Sequence, residues 1–251
     1  MAPLFSPLEQ FAVSRLLPIH WGALDISFTN SALYLVLAAT AVLWTTSLVF
    51  HGGGRLVPTR WQSFVEMVYG FVAGLVSEQV GPAGRRYFAM LYALFLLLLS
   101  ANLIGMIPYS FTATSHLAVT FGLSLSVFLG VTIVGFAQHG LHFFSFLLPK
   151  GAPLALAPLL VVLELVSYSF RAVSLGVRLF ANMMAGHTLV KILSGFSWTM
   201  FGAGGLLAVG GLIPFLMVLA LTGLEIGVAC LQAYVFTILT AIYLNDAIAL
   251  H

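Results

Sequence analysis

Charged side chains are rare in this sequence, and several of them lie inside long apolar stretches near its C-terminal end. Only 6% of the 251 residues are charged. Carboxylates and imidazoles can pass protons, whereas a guanidinium keeps its charge at every relevant pH. Ionisable groups in apolar membrane segments are costly and therefore indicate a functional path. The ionisable and amide residues in question are Glu164, Arg171, Arg178, Asn182, His187, Lys191, Glu225, Gln232 and Asp246.

Arg178 is the most unusual of these residues, because it lies in the apolar run 174–180 with no acidic residue four positions away on either side. A local helical ion pair is therefore not available to it. Burying an arginine costs about 2.5–3.5 kcal/mol on insertion scales, so a purely structural role is an expensive one. For Asn182 and Gln232, hydrogen bonding between helices and a direct function remain equally open.

Two long helical runs carry these residues, at 159–193 and 206–244. Each would be roughly 50 Å long at ~1.5 Å per residue, well beyond a hydrocarbon core of ~30 Å. Such helices must tilt steeply. The glycines at 202–205 supply the turn of an antiparallel hairpin, and Pro214 is expected to kink the second helix.

The register of this hairpin brings polar residues together, because facing positions have a nearly constant sum. His187 and Glu225 form one layer and both titrate, so we interpret them as functional. Arg171 and Lys191 lie nearer the helix ends, where snorkelling to the interface is expected. The three predicted layers are Arg178 with Gln232, His187 with Glu225, and Glu164 with Asp246.

The whole chain has the composition of a membrane protein, with 61% hydrophobic residues and a mean hydropathy of +1.10. Uncharged runs of span length predict further crossings. The stretch 59–80 is amphipathic and contains Glu66 and Glu78, so a surface helix is favoured over an imperfect crossing. Helical spacing over 5–17 predicts a short interfacial helix, the alternative being a poorly ordered tail.

The predicted fold is an all-α polytopic membrane protein with about five membrane helices and an interfacial or amphipathic helix. The last two membrane helices are long, tilted and antiparallel. The predicted organisation is a single membrane domain over 1–251, divided into an N-terminal interfacial segment at 1–30, a first span at 31–50, an amphipathic helix at 59–80, two spans within 87–138 and the long hairpin at 159–250.

Basic residues predict the orientation. Arg55, Arg60, Arg85, Arg86 and Lys150 can all fall on one face, which should be the matrix or cytoplasm. The N-terminus then lies on the opposite side, and the C-terminus joins the basic side.

The sequence gives little support to other classes of function. The net charge of +2 is too small to indicate a nucleic-acid partner. Cys230 is the single cysteine and the histidines are dispersed, so no metal site is expected. The glycines at 52–54 lack the Lys-Ser/Thr of a phosphate-binding loop, so neither nucleotide chemistry nor a cofactor is expected.

Several motifs resemble the subunit a family of F-type ATP synthases, especially mitochondrial members from plants and algae. The longest is LELVSYSFRAVSLGVRLFANMMAGH at 163–187. The second helix contributes LTGLE at 221–225 and LQAYVF at 231–236. Shorter matches are SPLEQF at 6–11, SFTN at 27–30 and YLNDA at 243–247, so that the resemblance covers essentially the whole chain.

The resemblance implies a stator with two offset half-channels that load and unload protons on ring carboxylates. Arg178 matches the family's essential arginine, which faces the ring carboxylate. His187 and Glu225 match a pair lining the half-channel from the intermembrane space, and Glu164 matches an acidic residue of the matrix-side half-channel. Asn182 and Gln232 match polar residues near the arginine, whereas Asp246 joins the group only through the hairpin register.

The resemblance also implies the partners: the c-ring, other membrane-sector and peripheral-stalk subunits, the lipid bilayer and protons, in a complex that can form dimers. The chain would have no enzymatic activity by itself. The expected location is the inner mitochondrial membrane, the alternative being a bacterial plasma membrane. The residues alone leave open a proton-coupled secondary transporter, which would show inverted repeats with broken helices, or a structural membrane scaffold.

Overall fold

The structure is a computed structural model that describes residues 9–21, 24–25, 27–51, 58–107, 110–140 and 157–249. Arg55 and Lys150, which contributed to the predicted orientation, lie outside the described residues, as do the first eight residues. Helices dominate the described part. They are α1 (Asn30–His51), α2 (Arg60–Gln79), α3 (Phe88–Gly105), α4 (Leu117–His139), α5 (Ala157–Ala203), α6 (Gly205–Gly210) and α7 (Leu212–Ile248).

Among the described residues, five helical segments are long and apolar enough to cross a membrane: α1, α3, α4, α5 and the combined α6–α7 segment. The amphipathic α2 is not one of them. Its N-terminus is capped by the side chain of Thr59, which accepts a hydrogen bond from the backbone N–H of Gln62. One face of α2 is buried through Val72, Leu75 and Val76. The prediction of about five membrane helices plus an amphipathic helix is confirmed.

Helices α3, α4, α5 and α7 pack against one another and form most of the core. Leu91 and Leu98 of α3, Leu179 of α5, and Phe236 and Leu244 of α7 are at most 1% exposed. The large apolar side chains on the outside of the bundle remain exposed, as a lipid-facing surface requires.

The hairpin turns at the predicted glycines, whereas the ends of its two helices differ from the prediction. Helix α5 has 47 residues and continues to Ala203, so the predicted end at residue 193 is wrong. An isolated glycine such as Gly195 costs a helix only about 1 kcal/mol and did not stop it. The chain turns at Gly204 and Gly205, whose φ angles of 69° and 62° favour glycine. The interruption before α7 falls at Gly211, and Pro214 sits in the first turn of α7, where proline is tolerated.

The N-terminal segment contains short strands. Strand β1 (Arg15–Leu17) pairs with β4 (Phe28–Thr29), and β2 (His20–Trp21) pairs with β3 (Leu24–Asp25), both antiparallel. The helix expected over 5–17 is therefore wrong for the described residues, of which only Glu9–Phe11 forms a 3-10 turn. Isolated helices of this length are marginal, and pairing with the strand at 28–29 satisfies the backbone instead.

Contacts at the end of the bundle show which helix ends lie together. Gln138 of α4 donates a hydrogen bond to the hydroxyl of Tyr87, which directly follows Arg85 and Arg86. His139 is 3.0 Å from the carbonyl oxygen of Ile248, at the end of α7. The end of α7 thus lies on the side of the molecule that carries this arginine pair, as predicted.

Candidate functional site

His187 of α5 and Glu225 of α7 meet across the hairpin. The Nδ1 atom of His187 is 3.5 Å from Oε1 of Glu225, and their side chains are 17% and 7% exposed. Oε1 accepts no hydrogen bond within the described residues. A buried carboxylate is costly unless it is paired or protonated. The pair is therefore suited to exchanging a proton.

Gly186 provides the space for this carboxyl group. A Cβ atom at position 186 would stand 2.6 Å from Oε1 and 3.0 Å from Cδ of Glu225. Contacts this short do not occur for real Cβ atoms, so a larger residue would displace the Glu225 side chain. Helices α5 and α7 can therefore enclose a carboxyl group at this level only because residue 186 is glycine.

Thr112 contacts the other side of the imidazole, and its role was not predicted from the sequence. Its Oγ1 is 3.0 Å from Nε2 of His187 and 3.1 Å from the carbonyl oxygen of Gly105. Thr112 belongs to the connection between α3 and α4, in which Thr114 and Ser115 are buried as well. Thr112 itself belongs to no helix or strand, so the periodicity of hydrophobic residues in the sequence could not reveal this contact.

A cavity of about 800 Å³ adjoins the pair. Gln10 and Asn30 of the N-terminal part line it, together with Thr112, His187 and Glu225. Lys191, which we expected to snorkel to the interface, also lines this cavity. Gly105, the last residue of α3, also lines the cavity, which therefore lies at the end of α3 opposite to Arg85 and Arg86.

Asn182 and Gln232 form the next polar layer. The Asn182 side-chain amide donates a hydrogen bond of 3.0 Å to Oε1 of Gln232, which is 1% exposed. The register had paired Gln232 with Arg178 instead. That prediction is wrong by about one helical turn, because the straight-helix register neglects the tilt and twist between packed helices.

Arg178 lies on the outer face of α5, exposed rather than enclosed by the chain's own helices. Within the described part of the chain its guanidinium makes no hydrogen bond or ion pair. The neighbouring positions on this face carry the small residues Ser174, Ala181 and Ala185, all exposed. A permanent charge thus stands on a shallow, otherwise weakly polar surface in the middle of a membrane-length helix.

Arg171 connects the third layer. Its Nη1 is 3.2 Å from Oδ2 of Asp246, its Nη2 is 3.6 Å from Oε1 of Glu164, and its guanidinium lies 5.5 Å from the ring centre of Tyr243. Glu164 and Asp246 are thus brought together by an arginine that we expected to snorkel. Snorkelling is the wrong interpretation, because two carboxylates from different helices are available to neutralise Arg171.

The described residues contain no group of three or more His, Cys, Asp or Glu side chains that could hold a metal ion. Fold and site together define a class: a polytopic membrane protein with ionisable clusters at two levels of a long hairpin and, between them, an arginine that is unpaired within the described residues. This arrangement is that of a proton-translocating membrane protein.

Comparison with known proteins identifies the family within this class. The family described as ATP synthase A chain matches residues 32–245. A protein named ATP synthase subunit a from Marchantia polymorpha is 64% identical over 249 residues, covering 98% of this chain and 99% of the relative. The namesakes from Oenothera berteroana and Chondrus crispus are 60% and 51% identical, each over 98% of this chain and over 90% and 97% of the relative, respectively.

The chain belongs to the ATP synthase subunit a family. It is therefore a subunit of the proton-translocating membrane sector of ATP synthase and works as part of a complex. The family match across residues 32–245 sets aside the alternative of a secondary transporter.

Proposed function

We propose that this chain forms two half-channels, one at each end of the α5–α7 hairpin, which load and unload protons on the carboxylates of the c-ring. The separation of the polar residues supports this proposal. His187 and Glu225 lie at the cavity, Arg171 and its carboxylate partners lie further along the hairpin, and Arg178 stands between the two groups.

The first half-channel takes protons from the intermembrane space. Water in the cavity brings protons to Glu225 and His187, which exchange them across the hairpin. Asn182 and Gln232, hydrogen-bonded to each other one helical turn from Arg178, provide the polar surroundings between the pair and the ring. A ring carboxylate that has accepted a proton is neutral and can turn into the lipid, since the ionised form would cost much more there.

The second half-channel releases protons to the matrix. Glu164 and Asp246 accept the proton that the ring carboxylate gives up after nearly a full turn. Arg171 lies between both carboxylates, 3.2 Å from Oδ2 of Asp246 and 3.6 Å from Oε1 of Glu164, and holds them together at this end of the hairpin.

Arg178 separates the two half-channels. Its side chain is exposed and unpaired within the described residues, and we propose that its counter-ion comes from another protein. A deprotonated ring carboxylate passing the small-residue surface around Ser174 and Ala181 fits this requirement. The fixed charge attracts that carboxylate and repels protons, so that no direct leak joins the half-channels. The membrane potential contributes ~2.3 kcal/mol per charge per 100 mV.

The same proposal implies the partners of the chain and its location in the cell. The whole chain forms a single membrane domain whose hairpin faces the c-ring, next to other membrane-sector and peripheral-stalk subunits, in a complex that can dimerise. Similarity to plant and algal relatives supports the inner mitochondrial membrane as its location. The chain itself carries out no nucleotide chemistry, which belongs to other subunits.

The exposed, unpaired Arg178 is the observation that carries the proposal, and its substitution tests it. We expect Arg178→Ala to abolish ATP-driven proton pumping by the complex in sealed vesicles while permitting a passive proton leak under an imposed potential. Arg60→Ala, which removes an exposed cation at the start of α2, should pump normally. Undiminished pumping by Arg178→Ala would contradict the proposal.

A further inference from the structure

Thr112 contacts His187 of the His187–Glu225 pair. It belongs to the connection between α3 and α4 and not to the α5–α7 hairpin. Its side chain is buried, with 5% of the residue exposed. A Cβ atom on Gly105 would stand 2.7 Å from Cγ2 of Thr112, so the end of α3 holds this threonine closely. The hydroxyl lies between Nε2 of His187 at 3.0 Å and the Gly105 carbonyl oxygen at 3.1 Å.

A count of hydroxyl protons decides the direction of these two hydrogen bonds. Gly105 is the last residue of α3, so its carbonyl has no partner within the helix. Ser110 is the other hydroxyl near it, at 3.2 Å, but its oxygen is only 2.6 Å from the carbonyl oxygen of Ile104, which takes its proton. The proton of Thr112 therefore goes to Gly105. Since a hydroxyl has a single proton, Oγ1 of Thr112 accepts a hydrogen bond from Nε2–H of His187.

We infer that Thr112 is a positioning residue that fixes the tautomer of His187 with the proton on Nε2. Nδ1 is then the ring atom without a proton, and it points at Oε1 of Glu225 from 3.5 Å. This inference rests on the proposed function, in which the pair carries protons from the cavity. The inference identifies Nδ1 of His187 as the atom at which proton transfer occurs, and Thr112 as the residue that selects this atom.

The transfer balances with a single mobile proton. The O–H bond of a protonated Glu225 breaks as the Nδ1–H bond of His187 forms, giving a carboxylate and an imidazolium, and the reverse step restores the neutral pair. The proton on Nε2 stays in place throughout. Thr112 accepts it in both states, and this hydrogen bond stabilises the imidazolium more than the neutral ring.

The other titratable groups around the ring are few. Within the described residues the cavity is lined by Lys191 on α5, Tyr34 on α1 and Glu225 on α7 in addition to His187. His116 lies at the end of the connection that carries Thr112; burial lowers the pKa of its imidazole, so it stays neutral near pH 7. Removal of the Thr112 hydroxyl changes none of these groups, so a change in the pH profile would report on His187.

The test uses the assembled complex in vesicles and measures ATP synthesis driven by an imposed proton gradient, at varied pH on the cavity side. We expect Thr112→Val to lower the rate roughly tenfold, a modest loss for a proton-transfer group. Its pH profile should shift to lower pH, because an imidazolium without its acceptor holds the proton less tightly. Thr112→Ser keeps the hydroxyl and should retain both rate and profile. Thr112→Ala, which adds no methyl group to the polar site, provides the same readout if the valine variant does not assemble.

Glu225→Gln, measured in parallel, separates this inference from the proposed function. Slow synthesis in Glu225→Gln together with a normal rate and profile in Thr112→Val would overturn the role of Thr112 and leave the half-channel in place. Equal impairment of Thr112→Ser and Thr112→Val would also overturn it, because the hydroxyl would then be irrelevant. A normal rate in Glu225→Gln would contradict the proposed function itself.

Discussion

At the scale of single residues, the proposed proton-exchange pair His187–Glu225 depends on the absence of a Cβ atom at Gly186. The carboxyl group of Glu225 occupies the position where any residue other than glycine at 186 would place its Cβ. The pairing of His187 with Glu225 therefore has two requirements: the register of two helices, and a gap in the surface of α5. Only the register of the two helices can be inferred from residue spacing in the sequence.

We expect Gly186→Ala to slow proton uptake while leaving the complex assembled. The new Cβ would stand 2.6 Å from Oε1, and the flexible Glu225 side chain can move away, which lengthens its distance from Nδ1 of His187. ATP synthesis under an imposed gradient should fall roughly tenfold. Gly195→Ala in the same helix, whose Cβ would meet nothing within 4 Å, is the matched control. Equal rates in the two variants would show that the position of the carboxyl group is unimportant.

The constant-sum register predicted the His187–Glu225 pair because both residues lie close to the turn, where errors in register have little distance to accumulate. It misplaced Gln232, which bonds Asn182 instead of lying opposite Arg178. It found Glu164 and Asp246 as a layer but not the arginine between them, because the partners of Arg171 depend on side-chain direction as well as spacing. Thr112 lies outside the helices and strands, so no helical or strand periodicity could point to it.

At the scale of elements, the contact between α4 and α5 depends on Gly176. A Cβ atom there would stand 2.7 Å from Oγ of Ser124, and 3.1 Å from both Cα of Phe121 and the carbonyl oxygen of Thr120. Two of these three atoms belong to the backbone and cannot rotate away. Helix α4 therefore packs closely against α5 at Gly176, two residues from Arg178. In this way α4 supports the helix that carries this arginine.

Gly176→Ala should therefore push α4 and α5 apart. Overpacking of this kind costs typically 1–3 kcal/mol, and we expect a lower midpoint for thermal dissociation of the solubilised complex. Gly122→Ala on α4 is the control, since its Cβ would have no neighbour within 4 Å and alanine favours the helix by up to about 1 kcal/mol. A midpoint for Gly176→Ala as high as that of Gly122→Ala would show that the two helices can separate without loss.

The long apolar runs predicted these elements well, because a bilayer span demands length and hydropathy that few other structures share. The ends were less predictable. Helix α5 continued to Ala203 because no proline or charge stopped it, and the N-terminal segment formed strands because a pairing partner lay at 28–29. Both outcomes depend on tertiary contacts that helical periodicity does not contain.

At the scale of the whole molecule, the cavity of about 800 Å³ is lined by residues of the N-terminal part and not by Arg85 or Arg86. Ser194 lines it near Lys191, and Ser124 is fully buried between α4 and α5. The two serines differ in access to water although both lie in membrane-length helices. This difference can be measured by chemical labelling of introduced cysteines.

In a Cys230→Ser background, we expect Ser194→Cys to react with a membrane-impermeant maleimide added on the intermembrane side and not on the matrix side. Ser124→Cys should remain unlabelled from either side, because its position is 0% exposed. Labelling is read as a mass shift of the chain. Reaction of Ser194→Cys from the matrix side alone would reverse the proposed orientation.

In the proposed mechanism, water in the cavity also changes where the membrane voltage acts. Water conducts, so the potential hardly falls along the cavity and drops instead over the low-dielectric stretch between its floor and the Arg171 cluster. Sixteen residues of α5 separate His187 from Arg171, roughly 24 Å along the helix axis, and the tilt of α5 makes the corresponding depth smaller still. The electric field is thus concentrated on the segment that contains Arg178, where a ring carboxylate would gain or lose its charge.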